Sequence, residues 1–500
     1  MESLVGLLYG LSIAFQPENM IFCFLGCFVG TMVGVLPGIG PNGALALLLP
    51  VTFYIPPSAA IIMLAGIYYG AMYGGSTTSI LINIPGEAAS VITCLDGYQM
   101  AQKGRAGPAL GIAAISSFIA GTLSLIGLMF LAPPLADFAL KFASPEYVSI
   151  ILCGLLLVGY LGSGSVLKAL IMAAFGLLLG TLGSDPMEGR ERFTLGISYL
   201  MDGVGLIPVI MGLFGISEIL WNLEEAEFRG ILKERVKNVL PTVRDMIDSA
   251  WPIFRGTILG FFIGLIPGGN TIIASTMSYA MEKRISKHPE KFGTGTIEGV
   301  AGPESANNST PSGSFIPLLS LGIPTTGAMA LLFAALMIHG ITPGPFLISK
   351  HPEIFWSVIA SMYLGNIMLL ALNLPLVGLW VKILKIPYSY LFPFIFLFCL
   401  LGAYGIRNTV FDIGLMIFFG IVGFLMKKLE YESAPFILAF ILGPMFEEHF
   451  RRSLILSFGS FLIFFERPIS ALFLSVALLL PLSSLLPAIR KRKKFIPSAD

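Results

Sequence analysis

The chain reads as apolar runs of about 20 residues separated by short polar breaks, repeated along nearly its whole length. As an α-helix, a run of that length spans the ~30 Å hydrocarbon core of a bilayer. A transmembrane β-barrel would alternate apolar and polar residues, and this chain does not. The pattern predicts an all-α integral membrane protein with roughly 11–14 helical segments, some too short to cross. The clearest short segment lies in residues 34–50, GVLPGIGPNGALALLLP, with four glycines, three prolines and one asparagine in an apolar region. Pro and Gly are the poorest helix formers, and a bilayer offers an open backbone no water. Pro37-Gly38 ends one helix. Another begins at Pro41, because proline suits the first helical position, and runs to about Leu49. About nine residues at 1.5 Å each span ~14 Å, near half the core. This is a half-helix, either re-entrant or part of a broken span.

Composition agrees with the pattern. The chain is 55% hydrophobic and 12% charged, with a mean hydropathy of +0.86. Soluble proteins carry about twice that charged fraction. A net charge of +1 implies no nucleic acid partner. The five cysteines, Cys23, Cys27, Cys94, Cys153 and Cys399, read as small core residues. Cys23-x3-Cys27 has no His or carboxylate nearby to complete a metal site. The start, MESLVGLLYG, lacks the basic region of a cleavable signal peptide. No Lys or Arg precedes Lys103, and the chain ends in Arg490-Lys491-Arg492-Lys493-Lys494. Basic segments stay on the cytoplasmic side, which places the C-terminal tail there.

The longest polar stretch, residues 223–248, mixes charges of both signs and splits the chain nearly in half. The expected organisation is a first half over 1–222, a charged cytoplasmic linker over 223–248, a second half over 249–466, and a C-terminal helix with its tail over 467–500. A split of this kind invites a search for an internal repeat. Gly26, Gly30, Gly34, Pro37 and Gly38 recur as Gly256, Gly260, Gly264, Pro267 and Gly268, each shifted by 230 positions. A second motif follows each copy: GGSTTSILINIPG from Gly74, and NNSTPSGSFIPLLSLGIP from Asn307. Aligning Pro85 with Pro324 gives a shift of 239. These polar runs read as segments that precede helices. Matching loops differ in basic content: Val51–Ser58 has no Lys or Arg, whereas 281–300 has four. Conversely, Lys103 and Arg105 match a region that holds only Lys350. Opposite basic content suggests opposite sides of the membrane, so the expected architecture is a two-fold inverted repeat.

Glycines spaced by four make a face where another helix backbone can approach closely. A half-helix exposes free N–H groups and about +0.5 charge at its start, which suits an anion such as a carboxylate. Gly38, Gly40 and Asn42 form one such tip, and Gly268, Gly269 and Asn270 the other. Ser76, Thr77 and Thr78 supply hydroxyls in the first half, and Asn307, Asn308, Ser312, Ser314 and Thr325 supply polar groups in the second. These are the candidate substrate-binding residues. Ser and Thr also serve as packing glue between membrane helices. The carbonyls at Pro37 and Pro267 can ligate a cation such as Na⁺, and Glu87 and Glu304 can bind a coupling cation or relay a proton. Arg255 either meets a substrate carboxylate or snorkels at the membrane edge, and Lys168 falls in a short loop between spans. No HExxH, GxSG or Walker A motif occurs, so nothing points to an enzyme or to ATP hydrolysis.

Four stretches carry a family resemblance: GTMVGVLPGIGPNGALALLLP, YGAMYGGSTTSILINIPGEAAS, GFFIGLIPGGN and PESANNSTPSGSFIPLLSLGIP. Through them nearly the whole chain resembles the large membrane (TctA) subunit of tripartite tricarboxylate transporters. It departs from the glycine-rich family pattern at Thr310-Pro311-Ser312 and Pro324-Thr325-Thr326. The resemblance implies a permease of the bacterial inner membrane that imports a small carboxylate, citrate-like or a di- or monocarboxylate. It implies coupling to Na⁺ or H⁺ with no cofactor. It also implies a small four-helix membrane subunit and a periplasmic solute-binding protein as partners. Rival readings are an anion channel or neutral-solute carrier with re-entrant helices, an intramembrane enzyme, and a non-transporting scaffold. The enzyme lacks a nucleophile–base pair, and the scaffold leaves the polar clusters unexplained.

Overall fold

A computed structural model describes residues 2–36, 40–162, 165–185, 187–224, 239–383 and 388–479. Pro37 and Gly38, most of the 223–248 linker and the basic tail lie outside the described residues. The described chain is helical apart from short connections and one two-residue hairpin. The helices that matter below are α1 (Glu2–Ala14), α2 (Pro17–Val35), α3 (Gly40–Leu48), α4 (Pro57–Ile82), α5 (Ala106–Ala139), α6 (Ser144–Leu161), α7 (Val166–Gly180), α8 (Val243–Gly264), α9 (Thr271–Ile285), α10 (Glu298–Leu321), α11 (Gly327–Ile338), α12 (Pro352–Asn373) and α13 (Ser433–Leu456). Among the described residues, seven helices are long and apolar enough to cross a membrane. The chain is thus a multi-pass helical membrane protein.

Local sequence explains the helix ends. α4 starts at Pro57, where the missing N–H costs nothing. α8 starts with a capping box between Thr242 and Asp245. The expected break after α2 is present: α2 ends at Val35, and α3 is a nine-residue helix from Gly40, whose φ is +63°. In the second half α8 ends at Gly264 and α9 starts at Thr271, capped by the Asn270 side chain on the Ile273 N–H.

The chain divides into two compact units. The first contains Met1–Leu140, Gly205–Leu265 and Gly269–Lys428. Here α2 packs along α4, and α8 packs along α10. A Cβ on Gly26, Gly30 or Gly34 would run into the carbonyls of Met63, Ile67 and Ala71. On Gly256, Gly260 or Gly264 it would meet those of Gly302, Ala306 and Thr310. The glycine positions differ by 230 and their partners by 239, the two offsets legible in the sequence. Gly74 against the Thr31 carbonyl and Gly313 against that of Phe261 repeat the relation from the other side. Backbone contact over several turns is what small residues allow, and in a bilayer such packing drives helix association.

The second unit contains Lys141–Val204, Ile266–Gly268 and Leu429–Asp500. Its helices α6 and α7 pack on α13. Its hairpin joins Gly183–Ser184 to Glu191–Arg192. Charge pairs hold it: Arg451 reaches Asp185 at 2.7 Å, Arg192 reaches Glu447 at 2.6 Å, and Arg467 reaches the buried Glu146 at 2.6 Å. Lys168 lies in the first turn of α7 rather than in a loop, and donates to the Leu429 carbonyl at 2.7 Å. All five cysteines are free, and all but Cys94 are buried.

Candidate functional site

Both polar runs expected ahead of helices lie inside them. Ser76–Ser79 belong to α4, and Asn307–Ser314 belong to α10. Both stretches are buried on all sides. A helix enclosed all round carries no polar face to betray it. α10 also holds Pro303, Pro311 and Pro317 inside it. Burial explains the tolerance: neighbouring helices and Ser/Thr side chains re-satisfy the freed backbone groups.

α4 and α10 bring two carboxylates into one polar core. Glu304 on α10 is 1% exposed. Its Oε2 accepts from Ser76 Oγ at 2.7 Å, and its Oε1 accepts from the Thr93 hydroxyl. The Ser117 hydroxyl of α5 also faces it, and Ser117 in turn accepts from Asn308 Nδ2 at 2.7 Å. Glu87 follows α4 and is 5% exposed. Its side chain takes the Ala89 N–H at 2.8 Å and Asn307 Nδ2 at 3.0 Å. The Oδ1 atoms of Asn307 and Asn308 are buried and make no hydrogen bond. Unpaired buried acceptors are costly and uncommon, and mark a place where a donor or cation fits. A cavity of about 10 Å³ opens beside this core, lined by Tyr73, Ser76, Thr77, Ser117 and Asn373. That is the scale of a single water molecule.

A second cluster joins Ser312, Tyr69 and Ser124. The Tyr69 hydroxyl bonds Ser312, and Ser124 donates to Ser312 at 2.7 Å. Tyr73 donates to Asn366 at 2.5 Å. Thr78 and Ser314 instead spend their hydroxyls on backbone carbonyls, of Gly75 for Thr78 and of Gly264 and Thr310 for Ser314. That is the helix-packing role open to any membrane Ser or Thr.

The tips fall differently. Asn42 sits in α3, and its Nδ2 would lie 3.1 Å from a Cβ on Gly327. Gly268, with φ +82°, packs against Val158 in the second unit, as Pro267 packs against Gly154. Gly269 and Asn270 belong to the first unit, where Asn270 caps α9. Thr325 is fully buried, and its hydroxyl has no partner. Arg255 neither faces the polar core nor stands alone: it holds Glu282 with bonds of 2.8 and 2.5 Å. Sequence reasoning missed Thr93, Ser117, Ser124, Tyr68 and Tyr69. Ser117 and Ser124 are seven apart on one helix face, a signal that was there to be read.

The described chain is a multi-pass helical protein with a buried polar core. The chain matches the Tripartite tricarboxylate transporter TctA family over residues 20–438, and it belongs to that family. It is 51% identical over 501 residues to an uncharacterized 52.8 kDa protein in the TAR-I ttuC' 3'region of Agrobacterium vitis, with both chains fully covered. It is 50% identical over 234 residues to an uncharacterized protein in the TAR-II ttuC' 3'region of the same organism, covering 47% of this chain and 97% of that one. No solved structure matches. The family is one of transporter components rather than enzymes.

Proposed function

We propose that this chain is the permease of a secondary carboxylate importer in the bacterial inner membrane. It works with a small membrane subunit and a periplasmic binding protein that delivers substrate, and the C-terminal tail faces the cytoplasm. Its halves are an inverted repeat with re-entrant half-helices, and a Na⁺ or H⁺ gradient drives uptake. The observation that carries this reading is the buried polar core. Two helices at matching repeat positions present carboxylates, amides and hydroxyls, with acceptors left unpaired, where lipid-facing helices have no use for them. The residues around Asn42 and Asn270 bind substrate, and Glu87 and Glu304 serve the coupling ion. The test is uptake of labelled citrate, malate, tartrate, succinate and lactate into vesicles with the binding protein, under imposed Na⁺ or H⁺ gradients. Saturable, gradient-driven accumulation of at least one acid is expected. Non-saturating flux would favour a channel, and unchanged uptake after joint Asn42→Ala and Asn270→Ala would remove the tips from the site.

A further inference from the structure

The two halves end their second motif in the same way up to one residue. α4 stops at Asn83 and α10 at Gly322, both left-handed and 239 positions apart. Four residues on, each half starts a new helical segment. In the first half the capping residue is Glu87, whose carboxylate accepts the Ala89 N–H and a hydrogen bond from Asn307. In the second half the capping residue, again 239 positions on, is Thr326, whose side chain accepts the Met329 N–H. The residue that serves Glu87 has a sister too. Asn307 corresponds to Tyr68, and the Tyr68 hydroxyl faces Thr326.

The first half therefore displays the chemistry that this position accepts: a carboxylate at a helix start, met by N–H groups and one side-chain donor from the sister helix. The second half keeps the donors and lacks the carboxylate. In the 12-residue α11 the Thr326 side chain takes the Met329 N–H, which leaves those of Gly327 and Ala328 without intrahelical partners at a positive dipole end. Thr325, 0% exposed, adds a hydroxyl with no partner. Asn42 and Phe214 close the other side: a Cβ on Gly327 would lie 3.1 Å from Asn42 Nδ2 and 3.3 Å from the Phe214 ring. Glycine there lets the amide come close to the helix backbone.

We propose that the start of α11 is a carboxylate subsite, in which one carboxylate of the substrate takes the place that Glu87 fills in the other half. The Gly327 and Ala328 N–H groups, the Thr325 hydroxyl, the Tyr68 hydroxyl and Asn42 Nδ2 are its donors. A carboxylate, which accepts through both oxygens and carries the charge a helix start favours, suits such a donor set. This rests on the transport reading above, and gives it a substrate-contacting position that the broken tips alone do not supply.

The decisive variant is Thr326→Glu, which builds the first half's own carboxylate into the second. It keeps a capping side chain, so the protein folds and melts as wild type does, while uptake of every acid in the panel falls at least 100-fold. Thr325→Val, which keeps the shape and loses the hydroxyl, raises the half-saturating concentration about tenfold. If wild type takes up an acid and Thr326→Glu takes it up equally well, the subsite is wrong and the transport reading stands. If wild type takes up none of the five acids, the transport reading falls and the subsite with it. If Thr326→Glu does not fold, Thr325→Val decides alone: an unchanged half-saturation overturns the subsite.

Discussion

Glu304 and Glu146 are about equally buried, at 1% and 2% exposed, yet they are held in opposite ways. Glu146 has a charge partner, Arg467, and a backbone donor, Ala143 N–H at 3.0 Å. Glu282 and Asp412 are treated alike, paired with Arg255 and Arg407. Asp96 has no arginine but takes three backbone N–H groups, from Gly293, Gly295 and Thr296, together with the Tyr279 hydroxyl. Glu304 takes side-chain hydroxyls, from Ser76 and Thr93. The difference is chemical. Arginine and backbone N–H only donate, so they fix a carboxylate in its ionised form. A hydroxyl rotates, donating to a carboxylate or accepting from a carboxylic acid. The hydroxyls around Glu304 can therefore serve either form, which is the property the proposed coupling role calls for.

The comparison can be broken most directly at Glu304. Glu304→Gln keeps shape and hydrogen bonding but cannot change state. Gradient-driven uptake is expected to fall at least 100-fold while the melting temperature stays within a few degrees of wild type. Normal accumulation by this variant would place Glu304 with the structural carboxylates. Arg467→Ala tests the other side. It strands a buried carboxylate and should destabilise by about 2 kcal/mol, below the ~3–5 kcal/mol of a fully buried pair because Arg467 is 41% exposed. Folded molecules of that variant transport normally, which vesicle uptake normalised to folded protein reads out. Ser76→Ala removes one hydroxyl from Glu304 and costs ~1 kcal/mol. It should shift the pH midpoint of uptake, which no purely structural hydroxyl would move.

The smallest effect concerns Asp185 in the hairpin loop. The backbone N–H of Met187 and then Arg451 hold its carboxyl down to about 2, below the ordinary value of ~3.9. Its contribution to stability is therefore complete above pH ~4 and is lost as pH falls toward 2. Arg451→Gln should lower the melting temperature slightly at neutral pH, and that deficit should shrink as acid approaches pH 2. A deficit that stayed constant across this range would show that Arg451 acts through packing alone.

Much of this was legible in the sequence because it is written in local residue types. Gly-x3-Gly spacing announced the close helix pairs, the two offsets announced which positions correspond, and Pro41 and Asn270 marked helix starts within a residue. The polar core was legible as a set of residues but not as a place. Hydroxyls and amides in a helix buried all round have no period to read. Partnerships across the chain were out of reach: Thr93 and Ser117 join Glu304 over roughly 200 positions, and Arg255 found Glu282 27 positions away. Tyr68 was recoverable from the 239 offset, but a phenol and an amide look unalike in sequence, and their shared ability to donate has meaning only once the fold sets them opposite matching caps.

The glycine rows have a mechanical consequence. With Gly26, Gly30 and Gly34 seated on successive carbonyls of α4, a slide along the axis would drive neighbouring side chains into backbone, and the same holds for α8 on α10. Close backbone packing of this kind resists sliding. For the proposed transport cycle the consequence is that α2 moves with α4, and α8 with α10. The left-handed turns at Asn83 and Gly322 end the partner helices, and each stands four residues before a carboxylate or the place proposed for one.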